Sequence, residues 1–149
     1  SVTFSNMAKF PDCAASHIVW RKAAATDLNL WSRDCWRSHH HNRKRRRMEI
    51  ALALQKLEKT NISPKLPAVI IAGDFNAPAG DRVYGMLKGE FTDTFSEVGS
   101  GWGSTYHRAF PILRLDHIFA SRAFHAARSR VVTVEESDHR MVISDLIMK

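Results

Sequence analysis

A run of apolar residues, Val69-Ile70-Ile71-Ala72, passes through Gly73 into Asp74-Phe75-Asn76, and it constrains the chain more than any other stretch. Three of the four apolar residues are β-branched, which suits a strand. A short continuous apolar run of this kind reads as a strand buried on both faces. If the extended period of two continues through Phe75, Asp74 and Asn76 project to one side just past the strand end. Two meanings compete there: a small catalytic edge made of a carboxylate and an amide, or a strand closing in an Asx turn before Pro78.

The other elements arrange themselves around this strand. Ser1 to Asn6 alternates weakly, and Cys13 to Trp20 is a second strand candidate. Residues 42–59 read as a helix, with Met48, Ala51, Leu52, Ala53, Leu54 and Leu57 as its apolar stripe. Asp81 is suited to cap a short helix over 81–87 that Gly89 closes. Residues 91–98 mix apolar and acidic side chains without a clear period, and 99–104 form a glycine-rich loop without the spacing of a P-loop. Strands are predicted at 114–120, 130–135 and 141–146. Strands interspersed with helices indicate a layered domain containing both elements, and 149 residues suffice for one domain over 1–149.

Charge is unevenly placed. The formal net charge of +7 lies entirely within residues 1–60, with twelve Lys/Arg against five Asp/Glu, and peaks at Arg43-Lys44-Arg45-Arg46-Arg47. Such a segment favours a polyanion, either nucleic acid or an anionic lipid surface, or else is a solvated helix face. His39-His40-His41 beside Cys35 lacks the second spaced pair of a zinc site and reads as a polar lead into the basic helix. Cys13 and Cys35 do not make a disulfide framework. No stretch is long and apolar enough to span a membrane. The compartment is open, with cytoplasm preferred, and the oligomeric state is open too.

Three strand-end positions repeat one logic. Asp74 and Asn76 follow the first strand, Asp116 lies in Arg114-Leu115-Asp116-His117-Ile118-Phe119, and Asp138-His139 precede the last strand. Buried carboxylates are costly unless they share a metal or an imidazolium. In this order and spacing, Gly73-Asp74-Phe75-Asn76, Arg114-Leu115-Asp116-His117-Ile118 and Ser137-Asp138-His139 resemble the last three signature motifs of the endonuclease/exonuclease/phosphatase superfamily. Ser104-Thr105-Tyr106 is also similar to the family pattern.

The resemblance implies an α+β fold: a four-layer sandwich of two mixed β-sheets flanked by helices. It also implies hydrolysis of phosphate esters with Mg²⁺ or Mn²⁺. By position, Asp74 orients or deprotonates the attacking water and Asn76 holds that water or a phosphate oxygen. Asp138, with Asp74, helps hold the metal. His139 contacts the scissile phosphate as the proton-transfer residue, and Asp116 hydrogen-bonds His139. Thr105 and Tyr106 lie at the substrate, with Arg43, Arg45 and Arg46 added from the basic segment. Ser16-His17-Ile18 is the one counterpart of the family's Thr-His-Leu strand end, which makes His17 a second candidate histidine. His117 is expected to be structural, and Arg114 to pair with a carboxylate.

The chain departs from the family pattern at its N-terminal end. Asn6 stands where a strand-ending Asn is expected, but no following motif supplies the metal-binding Glu, and Glu49 and Glu58 sit on the basic helix. The chain is therefore expected to be the C-terminal part of a longer domain, or else a divergent member. The leading function is a metal-dependent phosphoesterase acting on phosphodiesters in the manner of a nuclease. A lipid or inositol phosphate phosphatase and a non-catalytic nucleic-acid-binding remnant using 43–47 are the alternatives.

Overall fold

The computed structural model describes residues 43–55, 68–107 and 111–149, so the expectations for His17, Asn6, the histidine triplet and the strands before residue 21 lie outside the described residues. Residues 43–55 form a helix, α1, as predicted. Its buried face keeps Ala53 and the core-packed Leu54 of the expected stripe and turns away from Met48 and Leu52. Arg46, Ile50 and Ala53 are buried, whereas Met48 and Leu52 are 59% and 54% exposed. The spacing 46-50-53 is as helical as the predicted one, but it belongs to a neighbouring face that carries a long arginine stem.

Two antiparallel sheets follow. Strand β1 (Ile70–Asp74) pairs with β3 (Asp116–Ser121), which also pairs with the short β2 (Phe91–Asp93), giving the order β1-β3-β2. Strands β4 (Phe124–Val132) and β5 (Met141–Met148) make the second sheet. This is an α+β architecture, and among the described residues every strand ladder is antiparallel. β1 is not buried on both faces: Ile71 is 6% exposed but Ile70 is 40% exposed. At the end of the described sheet order, β1 shows the alternation of a half-buried strand rather than of a central parallel one.

β4 begins six residues before the expected strand at 130. Its buried positions include Ala126 and Ser129, at 2% and 0% exposure. Small residues such as these leave no apolar alternation to read, and the shift in register between Ala126 and Arg128 breaks the period further. The undetermined stretch 91–98 splits into β2 and a five-residue helix, α2 (Thr94–Val98), because the Asp93 side chain accepts from the N–H groups of Phe95 and Ser96. Thr94, Ser144 and Ser129 then form a chain of hydroxyl hydrogen bonds, 2.7 and 2.8 Å long, that fastens α2 to the second sheet.

The short helix after Pro78 is a 3₁₀ helix, Arg82–Met86, with Asp81 at its N-cap accepting from the Val83 N–H at 2.9 Å. It presents Val83 and Tyr84 to the core. There Phe75, 1% exposed, meets the rings of Tyr84, His117 and Phe119 edge-on at 5.7, 5.8 and 5.3 Å. Ile50 of α1, Val69, Ile71 of β1, Ala77 and Leu87 complete the cluster. The glycine-rich loop is packed rather than free of the body. A Cβ at Gly103 would collide with the Phe95 ring, and the Trp102 indole N–H is anchored on the Pro111 carbonyl at 2.9 Å.

Candidate active site

Asp74 is the last residue of β1, and the strand register sets it directly opposite Asp116, the first residue of β3. The alternation expected past the strand does not continue. Asn76 has φ +48°, a left-handed conformation that Asn tolerates better than most residues. Asp74 Oδ1 accepts from the Asn76 backbone N–H at 2.8 Å and Oδ2 from its side-chain amide at 2.9 Å. The Asx turn and the polar edge are therefore one structure: the turn holds the Asp74 carboxylate in place. Phe75 is buried between them, and its N–H donates to the Leu115 carbonyl at 2.9 Å.

His139 donates from Nδ1 to Asp116 Oδ2 at 2.8 Å. That hydrogen bond raises the imidazole's pKa above its ordinary value against the opposing effect of burial, and the charges of Asp116, Asp74 and Asp138 act in the same sense. The Asp74 carboxyl is also raised, first by burial and then by the facing Asp116, with the Asn76 N–H, His139 and Arg46 pulling the other way. One ligand atom each from Asp74, Asp116 and His139 lies within 4.8 Å of the others. Two carboxylates this close are chemically suited to a single divalent cation, with the imidazole beside it.

The other expected residues divide. Asp138 is exposed and outside that group of three, although its charge reaches His139. Tyr106 is half-buried, with its ring 5.0 Å from that of His139. Thr105, expected at the substrate, is fully buried, and its hydroxyl accepts the N–H groups of Leu115 and Asp116 at 3.0 and 3.1 Å. Arg43 pairs with Asp81 at 3.3 Å, while Arg45 and Arg46 both pair with Glu49 at 3.0 and 3.1 Å. These three arginines thus have carboxylate partners within the protein, and the Arg46 side chain is 4% exposed.

On the opposite side of β3 stands a second polar group that the sequence reading did not assemble. His117 is 1% exposed, with Nδ1 3.0 Å from Asp93 Oδ2 and Nε2 3.1 Å from the Arg114 carbonyl. Arg114 donates to Asp93 Oδ1 at 2.9 Å and to Ser96 Oγ at 2.8 Å, with its guanidinium 5.1 Å from the Phe95 ring centre. His117 is structural and Arg114 has found a carboxylate, as expected. Asp93 is the member that was missed, and its position just before Thr94-Phe95-Ser96 was a capping signal that could have found it.

Burial alone would raise the Asp93 carboxyl, but His117 and Arg114 outweigh it and hold the pKa at about 2. A depressed carboxylate stabilises the fold fully above its unfolded value of about 3.9, and that contribution is lost as pH falls through about 2. It amounts to roughly 2 kcal/mol at neutral pH. Asp93→Asn keeps a capping side chain and removes the charge. Its urea-denaturation free energy is expected to fall by that order at pH 7 and to lose the acid dependence between about pH 4 and 2. An acid limb as steep as that of the wild type would exclude Asp93 as its source.

Residues 5–139 match the sequence profile of the Endonuclease/Exonuclease/phosphatase family. The chain belongs to that family. Among solved structures, a mannosyl-6-phosphatase from Bacteroides thetaiotaomicron is 28% identical, with a TM-score of 0.55 over 68% of this chain and 46% of its own. An endonuclease/exonuclease/phosphatase family protein from the same organism is 25% identical, with a TM-score of 0.60 over 72% of this chain and 46% of its own. A family protein from Bacteroides vulgatus, at 20% identity and a TM-score of 0.60 over 72% of this chain and 45% of its own, supports the fold alone. The chain thus spans just under half the length of these structures. No curated protein matches it. Among the described residues, no helix is long and apolar enough to cross a membrane.

Proposed function

We propose that the protein hydrolyses phosphate esters with the help of a bound divalent cation, Mg²⁺ or Mn²⁺. The observation that carries this reading is the convergence of the hydrogen-bonded Asp116–His139 pair on Asp74. The carboxylates of Asp74 and Asp116 are the hard oxygen donors that would hold the cation, and the charge of Asp138 acts on the same site through His139. Bound there, the cation would supply Lewis-acid stabilisation of the negative charge that accumulates on the phosphoryl oxygens.

The side chains account for the remaining chemistry. Burial makes Asp74 a better base than an exposed aspartate, the direction required to orient and deprotonate an attacking water. Asn76 spends one amide hydrogen on Asp74 and keeps another for that water or a phosphoryl oxygen. Asp116 holds His139 through Nδ1, which leaves Nε2 as the nitrogen for substrate. The raised pKa keeps the ring cationic nearer neutrality, where it can hydrogen-bond the phosphoryl group and protonate the leaving oxygen.

Phosphodiester hydrolysis in the manner of a nuclease rests on the basic segment, whose Arg43, Arg45 and Arg46 are partly satisfied within the protein. A second reading, hydrolysis of a sugar phosphate monoester, is favoured by the 28% identity to a mannosyl-6-phosphatase. Assays of the full-length protein on plasmid DNA, bis-p-nitrophenyl phosphate, p-nitrophenyl phosphate and a sugar 6-phosphate decide between them. Turnover is expected to vanish with EDTA and to return with Mg²⁺ or Mn²⁺. DNA retention in a gel shift with no turnover of any ester would instead establish the non-catalytic nucleic-acid-binding alternative.

A further inference from the structure

The three site-bearing segments come from distant parts of the chain, yet one residue outside all of them touches two and reaches the third through a single intermediate. The Thr105 hydroxyl accepts the N–H groups of Leu115 and Asp116 at 3.0 and 3.1 Å. Its carbonyl accepts the N–H of Arg140, the residue after His139, at 2.7 Å. Leu115, gripped through its N–H, offers its carbonyl to the Phe75 N–H at 2.9 Å, between Asp74 and Asn76. Thr105 has no exposed surface, and its own N–H is fixed on the Leu113 carbonyl at 2.8 Å.

We infer that Thr105 is a positioning residue that sets the distance and angle between Asp116 and His139, and that it does not contact substrate. This rests on the proposed phosphoesterase reading for its kinetic consequence but not for its geometry. A hydroxyl is required because a single acceptor gathers two adjacent backbone donors at the start of β3. A side chain without one leaves two buried N–H groups unpaired, and the strand start shifts to find other partners. The Asp116 carboxylate is one residue's rotation from that anchor. The other half of the pair is tied to the same residue through backbone, so loss of the hydroxyl moves Asp116 against a His139 that stays in place. Misplacement of a catalytic pair by a fraction of an ångström is costly in rate.

Thr105→Val preserves shape and removes the acceptor, while Thr105→Ser preserves the acceptor and removes a methyl group. In the full-length protein, Thr105→Val is expected to lower kcat by roughly 10–100-fold, the usual cost of losing an orienting outer partner, with KM changed much less. Thr105→Ser is expected to recover most of the rate. The downfield ¹H resonance of the His139 Nδ1–H, assigned by its absence in His139→Gln, is expected to shift upfield or broaden in Thr105→Val and to return in Thr105→Ser. An unchanged resonance in a folded Thr105→Val, or a Ser variant as impaired as the Val variant, would overturn the inference. If Thr105→Val fails to fold, Thr105→Cys, a weaker acceptor, is expected to show the same shift at smaller amplitude, and a Cys variant identical to wild type in resonance and rate would overturn it. A wild-type protein that turns over no phosphate ester removes the functional reading, and the resonance still decides the positioning.

Discussion

Replacing His139 by Ala is expected to reduce phosphate-ester turnover by roughly 10²–10⁴-fold, the range over which a positioned proton-transfer group contributes. The loss should appear in kcat, because the charge His139 meets develops mainly as the bond to the leaving oxygen breaks. Asp74→Ala is expected to be comparably severe, since it removes both a carboxylate of the three-residue group and the anchor of the Asn76 turn. The two effects should not add. Each variant disables a unit in which His139, Asp116 and Asp74 act together, so the double variant should be little worse than either single one. Steady-state kinetics on the wild type, the two single variants and the double variant would check this. A His139→Ala protein within a factor of three of wild type would remove His139 from the chemistry.

The second large effect concerns the ring that separates the two polar residues of the turn. Phe75→Ala is expected to destabilise the fold by about 3–5 kcal/mol, the range for truncating a large buried aromatic. Phe75 is 1% exposed and makes edge contacts with Tyr84, His117 and Phe119 within 6 Å, and these packed contacts vanish with the ring. Against a typical total stability of about 5–15 kcal/mol, that loss would leave much of the protein unfolded on mild heating. Phe75→Leu fills part of the space and should cost noticeably less. Denaturant midpoints for the two variants would settle the order. A Phe75→Ala midpoint equal to that of wild type would show that the core can close without the ring.

The consequences of these two substitutions meet in one octapeptide. Val69 to Asn76 could be read as a strand because β-branched residues and a turn-forming Asp and Asn are local signals. A strand does form there, over Ile70–Asp74, with one face more exposed than the run of apolar residues implies. How the two polar residues relate is not local, because the positive φ of Asn76 ends the alternation that the sequence invites one to extend. The polar edge and the Asx turn coincide: the carboxylate accepts both hydrogen bonds of the turn and still faces Asp116.

The helix at 43–55 shows a different limit. Its periodicity fixed the helix but not the face, since two neighbouring stripes have similar spacing and only the surrounding elements choose between them. The choice buries Arg46, and it pairs the arginines that looked available for phosphate with Glu49 and Asp81. Thr105, expected at the substrate, is instead buried with its hydroxyl on two backbone N–H groups, and nothing in Ser104-Thr105-Tyr106 reveals which way that hydroxyl points.

The sequence alone determined which residue types stand at the strand ends and in what order, and so the family. Side-chain chemistry and short-range propensity are properties of the chain itself and need no partner to be legible. Tertiary structure decided the rest: that β1 and β3 pair in the register that sets Asp74 against Asp116, that His139 closes on Asp116, and that Asp93 answers His117 and Arg114 beneath them. Those are contacts between residues more than twenty positions apart, fixed by strand register and by burial, and no local pattern encodes either.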